Sequence, residues 1–366
     1  MDNFKKIRVY IDVFYYKNAL SGLKTYIEEL VSASKTHGSD QIEYIFSHDI
    51  KKITNNQFFI NSKFRIIRWI FQLRYLVWKQ IILPIKLLFN KVDIVICPDY
   101  IAPIICFSKK IVVIHDNLFW KYPDNYPKIW RKYYTKLIEL ALRPSSIIVT
   151  TSDYSKKGLE SIFTKNKIVP IYQSSETLPA IKSYSKDKKY ILHIGTFEKR
   201  KDLLTLVKAF KKLKEQLNVN YKLVLAGSKY INGDNKVFLK IQEYISDHNL
   251  FSSVLMPGYI NKNKVTYFFS NSLMYVFPSI DEGFGIPLIE ALNLKVPVVC
   301  SDIPIFNEIA DDSVIYFEKK NYMDLFQKMK QLIENKTLSE KLANKGFERV
   351  KKFNRHNFIK DFEKIL

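Results

Sequence analysis

Leu273-Met274-Tyr275-Val276-Phe277-Pro278-Ser279-Ile280-Asp281-Glu282-Gly283-Phe284-Gly285-Ile286-Pro287-Leu288-Ile289-Glu290 runs from a buried strand, through a loop, into a helix. The apolar run Leu273–Phe277 stops at Pro278-Ser279, and the helix beginning near Pro287 continues through Ala291-Leu292 before a second strand, Val296-Pro297-Val298-Val299-Cys300. On one unbroken helix, Glu282 and Glu290 would stand about 12 Å apart along the axis and roughly 80° apart around it, sharing little. Gly283 and Gly285 admit backbone conformations that other residues resist, and proline fits a first helical turn. Glu282 is therefore expected on the loop and Glu290 on the helix. Between them lie backbone N–H groups at a helix N-terminus, a seat for phosphate. The same spacing also fits a plain strand–helix joint whose acid complements the helix dipole.

Outward from this segment, strand-like and helical patterns alternate. Ile7–Val13, Val92–Cys97, Lys110–Ile114, Ser146–Thr150 and Lys167–Tyr172 are short and almost continuously apolar, as parallel strands covered on both faces should be. Ser183–Lys189 is polar, follows Pro179 and reads as a linker. The alternation restarts with Tyr190–Ile194, Tyr221–Leu225, Ser253–Met256, Leu273–Phe277, Val296–Cys300 and Val314–Phe317, with helical periodicity over Leu203–Leu217 and Val237–His248. Leu338–Leu366 is helical in pattern with no strand after it. At 366 residues two domains are expected, both α/β and doubly wound. Ligands of such sheets bind beyond the carboxyl ends of the strands, so a site is expected in a cleft where two sets of strand ends face each other.

Several function classes are disfavoured. No Gly-x-Gly-x-x-Gly follows the first strand, and no Gly-x-x-x-x-Gly-Lys-Ser/Thr occurs, which argues against a dinucleotide-dependent oxidoreductase and a P-loop NTPase. Cys97, Cys106 and Cys300 form no Cys-x-x-Cys and suggest a reducing compartment. Met1–Tyr10 has no apolar h-region, and no apolar stretch reaches the length of a membrane span. A cytoplasmic protein, soluble or peripheral on the inner face of the membrane, is expected. Net charge is +22, and residues 51–150 hold 17 basic against 5 acidic side chains. That asymmetry suits an anionic surface, nucleic acid or membrane. No nucleic-acid-binding motif accompanies it, so no nucleic-acid partner is expected. Arg65–Lys91 sets Trp69, Phe71, Tyr75, Trp78 and Phe89 among Arg65, Arg68, Arg74, Lys79, Lys86 and Lys91. It reads either as an interfacial helix, broken at Pro84, or as a helix packed on the sheet with its basic residues exposed. Lys128–Arg143 adds Trp130, Arg131, Lys132, Tyr133, Tyr134 and Lys136 to the anionic-membrane reading.

Other candidates lie at strand ends. Gly195-Thr196-Phe197-Glu198-Lys199-Arg200-Lys201 ends the second domain's first strand in a glycine and a basic pair; Arg200 offers a planar fork and Lys201 a compact charge for a diphosphate. His115-Asp116 follows Ile111–Ile114, where the histidine can donate to a substrate hydroxyl or phosphate or serve structurally. Ser21-Gly22 lies in the loop before a helix over Leu23–Ser32, where Gly22 lets N–H groups approach an anion.

Together these residues resemble glycosyltransferase family 4, retaining enzymes of GT-B architecture. Pro278–Ala291 matches the family's Glu-x7-Glu element with its flanks. Val298–Glu308, Gly195–Leu203 and His115–Pro127 are also family-like. The resemblance implies an acceptor-side Rossmann-like domain over 1–180, a donor domain over 181–349, and a C-terminal helix over 350–366 that packs back on the first domain. It implies that Glu282 contacts the donor sugar and Glu290 the nucleotide ribose. Gly283, Phe284, Gly285 and Ile286 line the sugar and phosphate, the N–H groups of Phe284 and Gly285 facing them. Arg200 and Lys201, beside Gly195, neutralise the diphosphate, and Gly22 touches it. His115 faces the transferred sugar, and Tyr259-Ile260 lines the base pocket. Ser21-Gly22 and Gln173-Ser174 depart from the family's usual Gly-Gly and Asn-Gly. The implied catalytic set is Glu282, His115, Arg200 and Lys201. No metal or cofactor is expected, since the basic pair can replace a cation and no Asp-x-Asp occurs. The implied reaction moves a hexose, most closely mannose from GDP-mannose, to a cell-surface glycan or lipid-linked oligosaccharide; a UDP-sugar or another GDP-sugar is the alternative.

Overall fold

The computed structural model describes residues 5–19, 21–53, 65–175, 190–217, 220–229 and 235–366. The expected linker Ser183–Lys189 and the boundary near residue 180 lie outside them, as do the side chains of Arg65, Arg68 and Trp69. The chain divides into two compact units, residues 1–176 with 353–366, and residues 177–352.

The first unit is built on a six-stranded sheet of β1 (Ile7–Ile11), β2 (Ile42–Phe46), β3 (Ile94–Cys97), β4 (Lys109–Val113), β5 (Ile147–Thr150) and β6 (Lys167–Pro170), in the order β2-β1-β3-β4-β5-β6. Every pairing is parallel. The central strands β3 and β5 are buried throughout, which is why they read as unbroken Val/Ile runs. β2 carries no sequence signal of a covered strand. It is an edge strand, and its charged Glu43 meets Arg8 of β1 at 2.8 Å, so it lacks the continuous apolar run of a covered strand. The helix Ser21–His37 begins two residues earlier than expected, so Gly22 lies in its first turn rather than in a loop. The C-terminal helix Arg355–Glu363 packs on it. Arg355 donates to both oxygens of buried Glu29 at 2.8 and 3.0 Å, Ser174 donates to the same carboxylate at 2.8 Å, and the Tyr26 and Phe358 rings meet edge-on. Ser174 thus has a structural partner in this chain.

Pro84 does not break the Arg65–Phe89 segment. The helix Arg65–Val77 passes through a wider turn, Trp78–Ile82, into the helix Leu83–Phe89. The N–H of Leu83 reaches Trp78 O, five residues back, and this widening accommodates the missing proline donor. Tyr75, Trp78, Leu83 and Leu87 are buried, whereas Ile70, Leu73, Val77, Ile81, Ile85 and Leu88 are exposed. One face packs on the sheet, as the packed-helix reading expects, and the other is bare. Lys79 is a correction: it is not a flanking basic residue but fully buried.

The second unit carries β7 (Tyr190–Ile194), β8 (Lys222–Ala226), β9 (Val254–Gly258), β10 (Ser272–Phe277), β11 (Val298–Ser301) and β12 (Ile315–Phe317), in the order β12-β11-β10-β7-β8-β9. All pairings are parallel here too. Successive strands run outward from β7 on one side and from β10 on the other, so the order reverses between β7 and β10. Loops diverge at such a switch point and leave a crevice beyond the strand ends. Leu203, Leu206, Phe210 and Leu213 of the helix Leu203–Leu217 fill one face of the core with Ile241, Phe326 and Met329.

Candidate active site

The loops after β7 and β10 meet at this switch point. After Ile194 the chain passes Gly195 to a short turn at Lys199–Lys201, then enters the helix Leu203–Leu217 through Asp202, whose φ of 46° is left-handed. The N–H of Ile280 donates to Arg200 O at 2.8 Å and ties the two loops by backbone. Lys201 Nζ donates to Glu282 Oε1 at 2.6 Å, and Arg200 Nη1 pairs with Glu282 Oε2. Arg200 also donates to Asp281 O at 2.8 Å and to Glu198 Oε1 at 2.9 Å. Lys201 Nζ stands 5.0 Å from the centroid of the Phe277 ring.

Glu282 is 7% exposed, and so is Lys201. Burial pushes the Glu282 carboxyl up, but Arg200 and Lys201 more than offset this and hold it at about 2. Burial displaces Lys201 downward, opposed by Glu282. Glu198, Arg200, Lys201 and Glu282 together carry no net charge, which is how charged groups survive this degree of burial. Arg200 and Lys201, expected to face a diphosphate, hold carboxylate partners of this chain.

Glu290 lies half-buried on the helix Ile286–Asn293, and Glu282 on the preceding loop, as the glycines require. Gly285 has φ 98°, and a Cβ there would come within 3.2 Å of the Phe306 ring. The positive φ turns the chain sharply so that the helix starts at Ile286, with Pro287 in its first turn. Phe284 is buried. Tyr259 and Ile260 follow β9, the tyrosine exposed and the isoleucine buried.

Gly227 escaped the sequence reading. It ends β8 as Gly195 ends β7, and a Cβ on it would lie 1.8 Å from Gly195 O. The two strand ends close together only because position 227 has no side chain. The available signal was Ala226-Gly227-Ser228, which repeats Ile194-Gly195-Thr196 at the end of an apolar run. His193 was missed as well. It is buried beside Gly195, and its Nδ1 donates to Val276 O at 3.0 Å.

In the first unit, His115 follows β4. Its Nε2 lies 2.8 Å from Pro98 O, and a carbonyl only accepts, so Nε2 carries the proton. Burial lowers its pKa to about 4, which keeps the ring neutral. This corrects the expectation of a donor: the one N–H is spent on Pro98, and Nδ1 is left as an acceptor. Tyr26 meets the ring edge-on at 4.6 Å. Gly22 is exposed, and a Cβ on it would meet nothing within 4 Å.

Residues 174–349 match the family described as glycosyl transferases group 1. The chain is 25% identical to O-antigen chain mannosyltransferase B of Escherichia coli over 263 residues, 68% of either chain. It is 26% identical to O-antigen chain mannosyltransferase RfbU of Salmonella typhimurium over 270 residues, 71% of this chain and 72% of that one. Its fold is similar to that of sucrose-phosphate synthase from Thermosynechococcus elongatus, with a TM-score of 0.72 at 14% identity over 98% of both chains. No helix among the described residues is long and apolar enough to cross a membrane. With two parallel α/β sheets and a group 1 domain over residues 174–349, the chain is a glycosyltransferase of the GT-B fold.

Proposed function

We propose that the protein is a retaining, metal-independent transferase of family 4 that moves mannose from GDP-mannose to a growing cell-surface glycan or a lipid-linked oligosaccharide. The observation that supports this most is the Arg200–Glu282–Lys201 cluster at the β7/β10 switch point, beside the helix that begins at Ile286. Cleavage of an anomeric carbon–phosphate bond develops positive charge on the sugar and negative charge on the departing diphosphate. Arg200, Lys201 and the N–H groups of the first turn after Gly285 stabilise the latter without a cation. A diphosphate reaching the basic pair exchanges one set of anionic partners for another, so the charges need no desolvation at that moment. Glu282, released toward the sugar, accepts from its hydroxyls, and Glu290 accepts from the ribose. His115 accepts a sugar hydroxyl at Nδ1. Mannose is favoured because both O-antigen relatives are mannosyltransferases by name.

We also propose that the first unit docks on an anionic membrane surface on the cytoplasmic side. The bare face of Arg65–Phe89 carries Leu73 at 63% exposure, Phe107 is 91% exposed, and Ile129 of the helix Lys128–Ala141 is bare as well. Lys86 of that segment and Lys91 just after it are exposed cations. Co-sedimentation with neutral and anionic liposomes tests this; no preference for anionic lipid would refute it.

The donor is tested with a panel of GDP- and UDP-sugars, read by thermal stabilisation and by donor hydrolysis. GDP-mannose is expected to stabilise and turn over most. Turnover confined to a UDP-sugar would overturn the donor assignment, and failure of every nucleotide sugar to bind would overturn the site.

A further inference from the structure

The first unit holds a pocket of about 300 Å³ that contains none of the donor-site residues assigned above. It lies beyond the carboxyl ends of β1 and β2. Its walls come from the turn Phe14–Asn18 after β1, from His48 and Lys52 after β2, and from Ile70 and Arg74 of the helix Arg65–Val77. Lys17, Lys52 and Arg74 line it, and no carboxylate does among the described residues. Asn18 is buried, and its Oδ1 has no hydrogen-bond partner. That oxygen has essentially no accessible surface, so the chemistry of the cavity comes from its cations. With three cationic side chains on its walls, the pocket offers a concentrated positive field.

The floor is rigid for a reason visible beneath it. Phe14 stacks on Trp78 with centroids 4.7 Å apart and planes within 7°. Trp78 Nε1 donates to Asp12 at 3.0 Å, and Asp12 receives Lys79 Nζ at 2.7 Å. Lys79 also reaches Asp99 at 2.6 Å, and Tyr75 donates to Asp99 at 3.0 Å. Asp12 follows β1 and Asp99 follows β3, so this buried triad fills the first sheet's own switch point, where the strand order reverses. A ligand is displaced to the side, toward the ends of β1 and β2. There, half-exposed Ile70 forms both the pocket's rim and the start of the bare stripe Ile70, Leu73, Val77, Ile81, Ile85 and Leu88.

The geometry points to a site for a phosphate or diphosphate ester of an aliphatic alcohol, its anion held by Lys17, Lys52 and Arg74 and its chain leaving past Ile70 along that stripe. Binding of such an ester stands on the pocket alone; that the ester is the glycosyl acceptor rests on the transferase reading above. The same chemistry is offered by a lipid-linked saccharide and by a bilayer phospholipid.

Isothermal titration of the whole chain with farnesyl diphosphate, inorganic pyrophosphate and farnesol tests the site. Farnesyl diphosphate should bind roughly tenfold or more tightly than either fragment. The double variant Lys52→Ala/Arg74→Ala, at two exposed positions, should weaken it by roughly tenfold or more while leaving GDP-mannose binding unchanged. Lys201→Ala should do the reverse. No binding of farnesyl diphosphate to the parent, or binding lost in Lys201→Ala and kept in the double variant, would overturn the assignment. Failure of nucleotide sugars to bind with the farnesyl diphosphate pattern intact would overturn only the donor reading. Vesicles of phosphatidylcholine with and without phosphatidylglycerol separate the two sources. If the double variant keeps its preference for anionic vesicles, the pocket serves the lipid-linked saccharide; if it loses both, the pocket holds bilayer headgroups.

Discussion

Glu282→Gln separates charge from shape at the centre of the second unit. At about 1.4 kcal/mol for each tenfold change in proton affinity, lowering the carboxyl from 4.5 to about 2 contributes roughly 3 kcal/mol to folding at neutral pH. The folded value lies below the unfolded one. The contribution is therefore complete above about pH 4.5 and disappears as pH falls through about 2. Glutamine keeps an oxygen for Lys201 but cannot form the ion pair with Arg200, so the variant should lose about 2–3 kcal/mol at pH 7. The same linkage removes roughly half of that advantage by pH 3.5, leaving the parent about 1 kcal/mol ahead. Urea unfolding of parent and variant at pH 7, 5 and 3.5 measures this difference. Transfer should fall steeply in the variant. Nucleotide binding should persist or tighten, because removing one negative charge leaves Arg200 and Lys201 in surplus. Equal stability at every pH would refute the electrostatic account. A stability loss with parental transfer would keep the ion cluster and remove Glu282 from the chemistry.

Lys201→Ala should weaken nucleotide-sugar binding and also destabilise the protein by about 3 kcal/mol, since it strips one partner from a buried carboxylate; calorimetric titration and urea unfolding read the two effects, and unchanged affinity would exclude Lys201 from the diphosphate site. Gly227→Ala places a Cβ 1.8 Å from Gly195 O and should cost at least about 2 kcal/mol while displacing the Gly195 loop; a thermal midpoint equal to the parent's would contradict the close approach. His115, with its pKa lowered to about 4 by burial, is neutral at every pH above that value. The pH–rate profile between about 5.5 and 8 should therefore contain no inflection that His115→Asn abolishes. Lys79→Met leaves Asp12 and Asp99 buried without a cation and should cost about 3–5 kcal/mol, with much of the loss recovered in Asp12→Asn/Lys79→Met/Asp99→Asn; a single variant as stable as the parent would show that the triad contributes nothing.

The parts of this protein that were legible in its sequence are those governed by local rules. Buried parallel strands announce themselves as Val/Ile runs, and β3, β5 and β10 were plain. The turn at Gly285 was plain too, because glycine before a proline-led helix has few other uses. What stayed hidden depends on which strands become neighbours. Arg200 and Lys201 precede Glu282 by about 80 residues, and alternation of strands and helices does not say that β7 lies beside β10. The clash that forbids a side chain at 227 exists only once β7 and β8 are in register. Lys79 looked like one more basic residue on an amphipathic helix. Only the convergence of Asp12 and Asp99 at the end of the first sheet makes burial of its charge tolerable. Pro84 misled for the opposite reason: a local rule was overridden by a wider turn that absorbs the missing donor.

The two sheets resolve the same geometrical problem differently, and the contrast bears on function. A strand order that reverses opens a crevice, and each unit places charged residues there. In the second unit the cluster is neutral but made of long side chains on loops, and Arg200 and Lys201 keep part of their surface at the crevice. Such a cluster can exchange Glu282 for an incoming anion. In the first unit Asp12, Lys79 and Asp99 are wholly enclosed, cross-braced by Trp78 and Tyr75, and have no route to exchange. The first crevice is closed by its own chain, and the basic pocket beside it is the place proposed for a second substrate. An enzyme that joins two substrates needs one site that trades partners and another that holds its wall still, and the burial of the two lysines distinguishes them.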